Sequence, residues 1–314
     1  MMTLNEVAKT LRQKNNIEIL THHYPDGDTL GSAYGLCLAL QRIGKNARVI
    51  TSGKVAQKYD YLSSSVDKSD FTPGFIMSVD VAAPTLLGEN QENYKDKIDL
   101  CIDHHKSNSM GVKDSYIDHT AASTAEIIYD LLKIMNVDIT KEIADCLYTG
   151  VSTDTGCFMY TNTTERTHII AGELIKAGCD FGTINRAMFE TKTKEKLALE
   201  RMVYDTLDYY HDGKCAIIYT TIAMQERLNL GDDEMEGLAS IPRQIEGVKI
   251  GITMREKKNK EFKISVRTNG DIDACAFCQQ FGGGGHNAAA GCAINGDLIT
   301  VKQTLIAAAK EILK

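Results

Sequence analysis

This sequence has no long apolar run, no excess of basic charge and no paired-cysteine framework, and each absence removes a class of protein. Its longest hydrophobic stretches fall far short of the roughly 20 residues that cross a bilayer, so no membrane association is expected. Residues 1–16 are polar and helix-like with no apolar core segment, which predicts no secretory signal. The nine cysteines are scattered and odd in number. That pattern fits reduced thiols in a cytoplasmic protein better than a disulfide scaffold. Cys275-Ala-Phe-Cys278 has no second CxxC to complete a zinc site and reads as helix packing. Thirty-five Lys and Arg stand against 42 Asp and Glu, a formal net charge of −7, which argues against long nucleic acid as a partner. A small anionic substrate stays compatible, because bound cations and a few local basic groups reverse the field within one cleft. Internal repeats and long disordered tracts are also missing, and 314 residues exceed the usual size of one core, so two domains are expected.

What is present is an alternation of short apolar runs and helical patterns. Residues 4–14 read as a helix, 17–20 as a strand, 47–50 as a second strand and 75–79 as a third that ends at Asp80. A helix begins after Gly31 on the spacing Ala33, Leu36, Cys37, Leu40 and ends near Gly44. Residues 100–102 form a strand ending at Asp103. Ser123 is a plausible N-cap, with Glu126 three residues on, for a helix through Leu132. Residues 143–152, apolar and small, lead to Asp154 as a further strand-to-loop transition, and 164–177 read as a helix closed by Gly178. The alternation up to about residue 185 predicts an α/β fold with a mostly parallel sheet covered on both faces. In such sheets ligands bind at the carboxyl ends of the strands.

Residues 192–210 are charged and helix-favouring without Pro or Gly and read as a helical connector. Beyond it, β-like runs at 215–220, 248–255, 261–267 and 292–294, with a C-terminal helix, predict a smaller α/β domain. The expected division is residues 1–185, a connector over 186–213, and 214–314.

Four acidic motifs fall in the first half: His22-His23-Tyr24-Pro25-Asp26-Gly27-Asp28, Ser78-Val79-Asp80, Asp103-His104-His105 and Ser152-Thr153-Asp154-Thr155-Gly156. Alone, Asp26 and Asp28 beside Gly27 are turn residues, and Asp154 is a cap or turn residue. Together, imidazoles and carboxylates from four places make a donor set suited to Mn²⁺, Fe²⁺ or Zn²⁺ rather than Ca²⁺. Pro25 and Gly27 shape a turn that can aim His22 and Asp26 at one point and Asp28 at a second. Asp80 and Asp154 supply further carboxylates, and His104 another imidazole. A carboxylate can bridge two ions about 3.5–4 Å apart, and such pairs catalyse in-line displacement at phosphorus. The ligands therefore predict metal-assisted hydrolysis of a phosphate ester or anhydride without naming the ester. His119, His168 and His211 lack this context and read as structural or surface residues. In the second region, Gly282-Gly283-Gly284-Gly285-His286 lets backbone N–H groups approach a phosphate, although a flexible loop is the plain alternative.

In order and spacing, the four motifs resemble those of the DHH phosphoesterase superfamily, and the glycine run followed by Asn287-Ala-Ala-Ala-Gly291 resembles its DHHA1 domain. The resemblance spans about the full chain and is nearest to bacterial bifunctional oligoribonuclease and phosphoadenosine-phosphate phosphatases. It implies a DHH domain and a smaller DHHA1 domain with the metal site in the cleft between them. It further implies two Mn²⁺ or other divalent cations, one held by His22, Asp26 and Asp80 and the other by Asp28, Asp80, His104 and Asp154, with Asp80 bridging. His105 would face the scissile phosphate or leaving oxygen, with Asp103 orienting a histidine. Ser265, Arg267, Gly283, Gly284, Gly285 and His286 would bind substrate. The implied activity is hydrolysis of short oligoribonucleotides to mononucleotides and of 3′-phosphoadenosine 5′-phosphate (pAp) to AMP, in a chain that is commonly a homodimer. The alternatives are a phosphodiesterase for linear or cyclic dinucleotides and, in another class, a nucleotide-binding regulator without turnover.

Overall fold

The computed structural model describes every residue except 69, 229–234, 236 and 314, and all described side chains except that of His286. It divides into two compact units, Met1–Thr191 and Lys192–Lys314.

The first unit runs α1 (Leu4–Gln13), β1 (Ile17–Leu20), α2 (Gly27–Arg42), β2 (Ala47–Ile50), β3 (Phe75–Val79), α3 (Gln91–Tyr94), β4 (Leu100–Asp103), β5 (Ser115–Ile117), α4 (Thr124–Ile134), α5 (Lys141–Asp154), α6 (Glu165–Lys176) and α7 (Phe181–Asn185). Its five strands are all parallel, in the order β2-β1-β3-β4-β5. Ile17, Ile19, Met77, Val79, Leu100 and Ile102 are buried, as expected of strands covered on both faces. The order reverses between β1 and β3: the chain steps outward to β2, then returns to continue on the other side. At such a switch point the loops leaving the two carboxyl ends diverge and open a crevice.

A second device brings α5 to the same place. Gly27, Gly31 and Gly35 recur every four residues, so they share one face of α2. A Cβ built on Gly31 would stand 2.3 Å from the Cys146 carbonyl oxygen, and one on Gly27 would stand 2.3 Å from the Thr153 hydroxyl. The helices pack backbone to backbone and antiparallel, so the end of α5 meets the start of α2. The structure here differs from the sequence expectation: Asp154 is the last residue of a helix, not the end of a strand. Likewise α2 begins at Gly27, capped by Asp26, before the apolar spacing that signalled it.

The second unit comprises α8 (Lys194–Tyr204), β6 (Asp208–Tyr210), β7 (Cys215–Thr220), α9 (Ile222–Arg227), β8 (Ile250–Lys257), β9 (Glu261–Thr268), α10 (Ala274–Gln279), β10 (Gly284–His286), β11 (Ala289–Asn295) and α11 (Leu298–Ile312). Its six strands lie in the order β10-β11-β9-β8-β7-β6, antiparallel except for β7 beside β8. Ile252, Met254, Ile264 and Val266 on one face pack with Phe277 of α10 and Val301 and Leu305 of α11. Residues 192–210, read as a connector, lie within this unit: α8 buries Leu199 and Val203 with Ile218, and β6 is an edge strand. The glycine run is partly strand rather than loop. Among the described residues no helix is long and apolar enough to cross a membrane.

Candidate metal centre

Three parallel strands release their chemistry on one edge of the sheet. His22 and Asp26 follow β1, Asp80 follows β3, and Asp103-His104-His105 closes β4. Asp26 caps α2, its Oδ1 accepting from the amides of Asp28 and Thr29, each at 3.1 Å. Asp80 has φ of +61°, a left-handed conformation unfavourable for a residue with a Cβ and common where function fixes the backbone. Asp28 is buried in the first turn of α2. Its Oδ2 accepts from the Thr124 amide at 2.7 Å, and its Oδ1 from the Ala125 amide at 3.0 Å and the Ser32 hydroxyl at 3.2 Å. The Thr124 hydroxyl donates to Asp80 Oδ1 at 2.8 Å. The start of α4 therefore fixes two carboxylates at once, a role for Thr124 that nothing in its sequence context signals.

The six expected metal ligands converge. His22 Nε2 lies 3.5 Å from Asp26 Oδ1 and 3.7 Å from Asp80 Oδ2. His104 Nε2 lies 3.7 Å from Asp80 Oδ1, 3.7 Å from Asp154 Oδ2 and 3.9 Å from Asp28 Oδ2. These separations exceed hydrogen-bond length, yet they suit donors that each reach a shared cation at about 2.0–2.2 Å. Three overlapping donor groups result, His22–Asp26–Asp80, Asp28–His104–Asp154 and Asp80–His104–His105, and Asp80 points one oxygen at His22 and the other at His104. His104 Nδ1 faces the Ala121 carbonyl at 3.3 Å, which fixes the tautomer that leaves Nε2 as the acceptor a metal needs.

Electrostatics point the same way. Burial raises the Asp80 carboxyl well above its ordinary range, and Asp28 and Asp26 raise it further. Burial also raises Asp28, and Asp154 is pushed up to about 8 by burial and by the charges of Asp28 and Asp26. Among the described residues no Lys or Arg pairs with Asp28, Asp80 or Asp154. Burial and mutual repulsion disfavour the charged form of all three carboxyls, and a bound cation would offset both. The donor chemistry fits a divalent metal.

His105 is held differently. Its Nδ1 donates to Asp103 Oδ1 at 2.8 Å, and Asp103 also accepts from the His104 amide at 2.8 Å and from Asn108 Nδ2 at 2.5 Å. Burial raises the Asp103 carboxyl, but these donors outweigh it and its pKa falls, while the bond to Asp103 raises that of His105. Although His105 Nδ1 is also 3.7 Å from Asp80, that nitrogen is committed to Asp103, so the ring has Nε2 left for other work. His23 points elsewhere, with Nδ1 3.4 Å from the Ser52 hydroxyl, and His168 stacks on Phe158. His211 bonds the Ile306 carbonyl at 2.9 Å.

Comparison with known proteins gives the family. Residues 16–151 match the DHH family, N-terminal domain, and residues 214–314 match the DHHA1 domain. The chain belongs to the DHH/DHHA1 phosphoesterase family. The bifunctional oligoribonuclease and PAP phosphatase NrnA of Thermus thermophilus is 29% identical, over 99% of this chain and 94% of that one. The crystal structure of an exopolyphosphatase-related protein from Bacteroides fragilis superposes with a TM-score of 0.89 at 26% identity, covering 99% of this chain and 97% of the other. RecJ of Thermus thermophilus, solved with Mn²⁺, shares the fold at a TM-score of 0.55 and 16% identity, covering 98% of this chain and 55% of RecJ.

In the DHHA1 unit, register explains the small residues. Ser265 pairs with Gly291, which pairs with Gly284; Arg267 pairs with Ala289, which pairs with His286. Candidate binding residues thus stand in rows across three strands, separated by residues with little or no side chain. The His286 side chain lies outside the described residues. Gly283 and Gly285 have a packing reason of their own: a Cβ would stand 2.2 Å from the Gly291 carbonyl oxygen and 2.6 Å from Ala290 Cα respectively. Gly284 faces open space instead. Ser265 lines a pocket with Arg255 and Lys263.

Proposed function

We propose that this chain is a Mn²⁺-dependent phosphodiesterase that degrades short oligoribonucleotides to mononucleotides and takes pAp as a second substrate. The observation that supports this most is Asp80, whose two oxygens face two separate His/Asp groups in the manner of a bridging carboxylate. His22, Asp26 and Asp80 would hold one ion, and Asp28, Asp80, His104 and Asp154 the other. The ions would supply Lewis acidity toward the phosphoryl oxygens and activation of water.

The remaining roles fall to side chains. Asp103 keeps His105 protonated to higher pH and fixes its ring, so Nε2–H can donate to a phosphoryl or leaving oxygen. Thr124 holds Asp28 and Asp80 at fixed angles, and Asp26 stiffens the start of α2. We assign substrate binding to Ser265, Arg267, Gly283, Gly284, Gly285 and His286, whose backbone amides, hydroxyl and guanidinium suit phosphate and ribose. The net charge of −7 supports short substrates, which need a few local contacts rather than a long basic track. The full-length similarity to an oligoribonuclease and PAP phosphatase supports the substrate class. The test is release of mononucleotides from a 5′-labelled RNA dinucleotide with Mn²⁺ and its absence with chelator. Turnover that is unaffected by chelator would refute the reading.

A further inference from the structure

One residue beyond Asp154, after Thr155, the chain makes three consecutive left-handed residues: Gly156, Cys157 and Phe158, with φ of 56°, 56° and 65°. Two of them carry a Cβ, for which this region is unfavourable. The turn is nevertheless hydrogen-bonded throughout. The Cys157 amide donates to the Ser152 carbonyl at 2.7 Å, and the Phe158 amide to the Thr155 hydroxyl at 3.1 Å. The amides of Met159 and Tyr160 both donate to the Thr155 carbonyl at 3.0 Å. Phe158 turns inward, its ring 5.2 Å from that of His168 and 6.1 Å from that of Tyr148.

Its two neighbours do the opposite. Met159 is 76% exposed and Tyr160 is 48% exposed. A lone exposed aromatic is ordinary; this one is built in. The Tyr160 ring lies against Gly156, where a Cβ would stand 2.4 Å from Cζ and 2.6 Å from each Cε. Only glycine lets the ring settle there, and only glycine takes that φ without strain. The backbone of Tyr160 is tied to the carbonyl of Thr155, the residue after Asp154, and its ring to Gly156, so the ring is held on the turn that leaves Asp154 while part of its surface meets water. A nucleotide whose phosphate sits at that centre carries its base one ribose away. A half-exposed π surface held on the turn after Asp154 suits any base, since every base has a π face.

We propose that Tyr160, seated on Gly156, is the surface on which the base of the reacting nucleotide stacks. The inference rests on the nucleotide reading above. It makes Tyr160 a binding residue that favours nucleotides over phosphodiesters without a base, with no part in the chemical step.

The test uses the Mn²⁺-loaded full chain and the variants Tyr160→Ala, Tyr160→Leu and Tyr160→Phe. Substrates are a diadenylate and its analogue with an abasic ribose in place of one adenosine, and a phosphorothioate diadenylate serves for binding by calorimetry. Tyr160→Ala and Tyr160→Leu are expected to raise KM for diadenylate and weaken the analogue by about 5- to 100-fold, the usual span for a lost base stack. Their kcat stays within about threefold, and Tyr160→Phe keeps the wild-type values. The abasic substrate already shows the high KM, and the Ala variant leaves it unchanged. Equal affinity of wild type and Tyr160→Ala for the phosphorothioate would overturn the inference, as would an equal loss on the abasic substrate. Failure of wild type to hydrolyse diadenylate would instead count against the proposed function, because the calorimetric comparison does not need turnover.

Discussion

Asp103 is fully buried, and its Oδ1 accepts from His105 Nδ1 at 2.8 Å. It fixes the ring and raises its pKa. If the protonated ring donates to the departing or phosphoryl oxygen, activity falls as pH rises through the raised His105 pKa. Asp103→Asn lowers that pKa, so the falling limb of the kcat profile is expected at lower pH, with kcat at pH 8 reduced by about 10²- to 10⁴-fold. A pH–rate profile checks this; an unshifted limb removes His105 from the proton step.

Asp80 offers a different test, because it serves two of the donor groups. Asp80→Ala is expected to leave the circular dichroism unchanged, to lower retained Mn²⁺ from two per chain to one or none, and to abolish turnover. Metal content after dialysis reads this directly. Full activity with two ions bound would refute the bridging role.

Thr124 touches two of the acids without being a ligand. In Thr124→Val the hydroxyl to Asp80 is lost while the amide to Asp28 remains. Loss of such an outer partner typically weakens a metal site about 10- to 100-fold, and Mn²⁺ titration followed by activity should show it at unchanged kcat under saturating metal.

The raised carboxyls set the sign of a pH effect on stability. Asp28, Asp80 and Asp154 are raised in the folded chain, Asp154 to about 8, and titrate near 4 when unfolded. Between those values the folded state holds more protons than the unfolded one, so stability of the metal-free protein falls as pH rises. Its Tm is therefore expected to be lower at pH 8 than at pH 6. Added Mn²⁺ should raise Tm more at pH 8, where fewer protons compete for the carboxylates. Thermal scans at the two pH values with and without metal decide it.

Within the glycine run the three substitutions should separate. Gly285→Ala and Gly283→Ala force a Cβ into β11 and are expected to destabilise the second unit by about 1–3 kcal/mol. Gly284→Ala meets nothing within 4 Å and should leave Tm unchanged while raising KM. Equal Tm for all three would contradict the close approach of β10 and β11.

Much of this was legible because ligand chemistry is local. His22, Asp26, Asp80 and His104 sit where apolar runs of clear strand character end, and parallel strands carry them to one edge. Asp154 was legible as a candidate ligand but not as the end of a helix: a short run of apolar and small residues has no decisive period, and only the α2 glycines opposite it settle the matter. Thr124 was hidden because it acts through a contact 96 residues away in sequence from Asp28. The strand at Gly284–His286 was hidden because glycine has no strand preference of its own, so pairing with β11 alone creates it. Residues 192–210 looked like a linker because their charge is evident and the burial of Leu199 and Val203 is not.

The measurement that bears most directly on the whole account is a Mn²⁺ time course on an RNA dinucleotide, a 5-mer, a 24-mer and pAp, side by side. The account expects rapid loss of the dinucleotide and 5-mer to mononucleotides, conversion of pAp to AMP, and a 24-mer left intact. Two ions bound with no turnover of any of the four would contradict it.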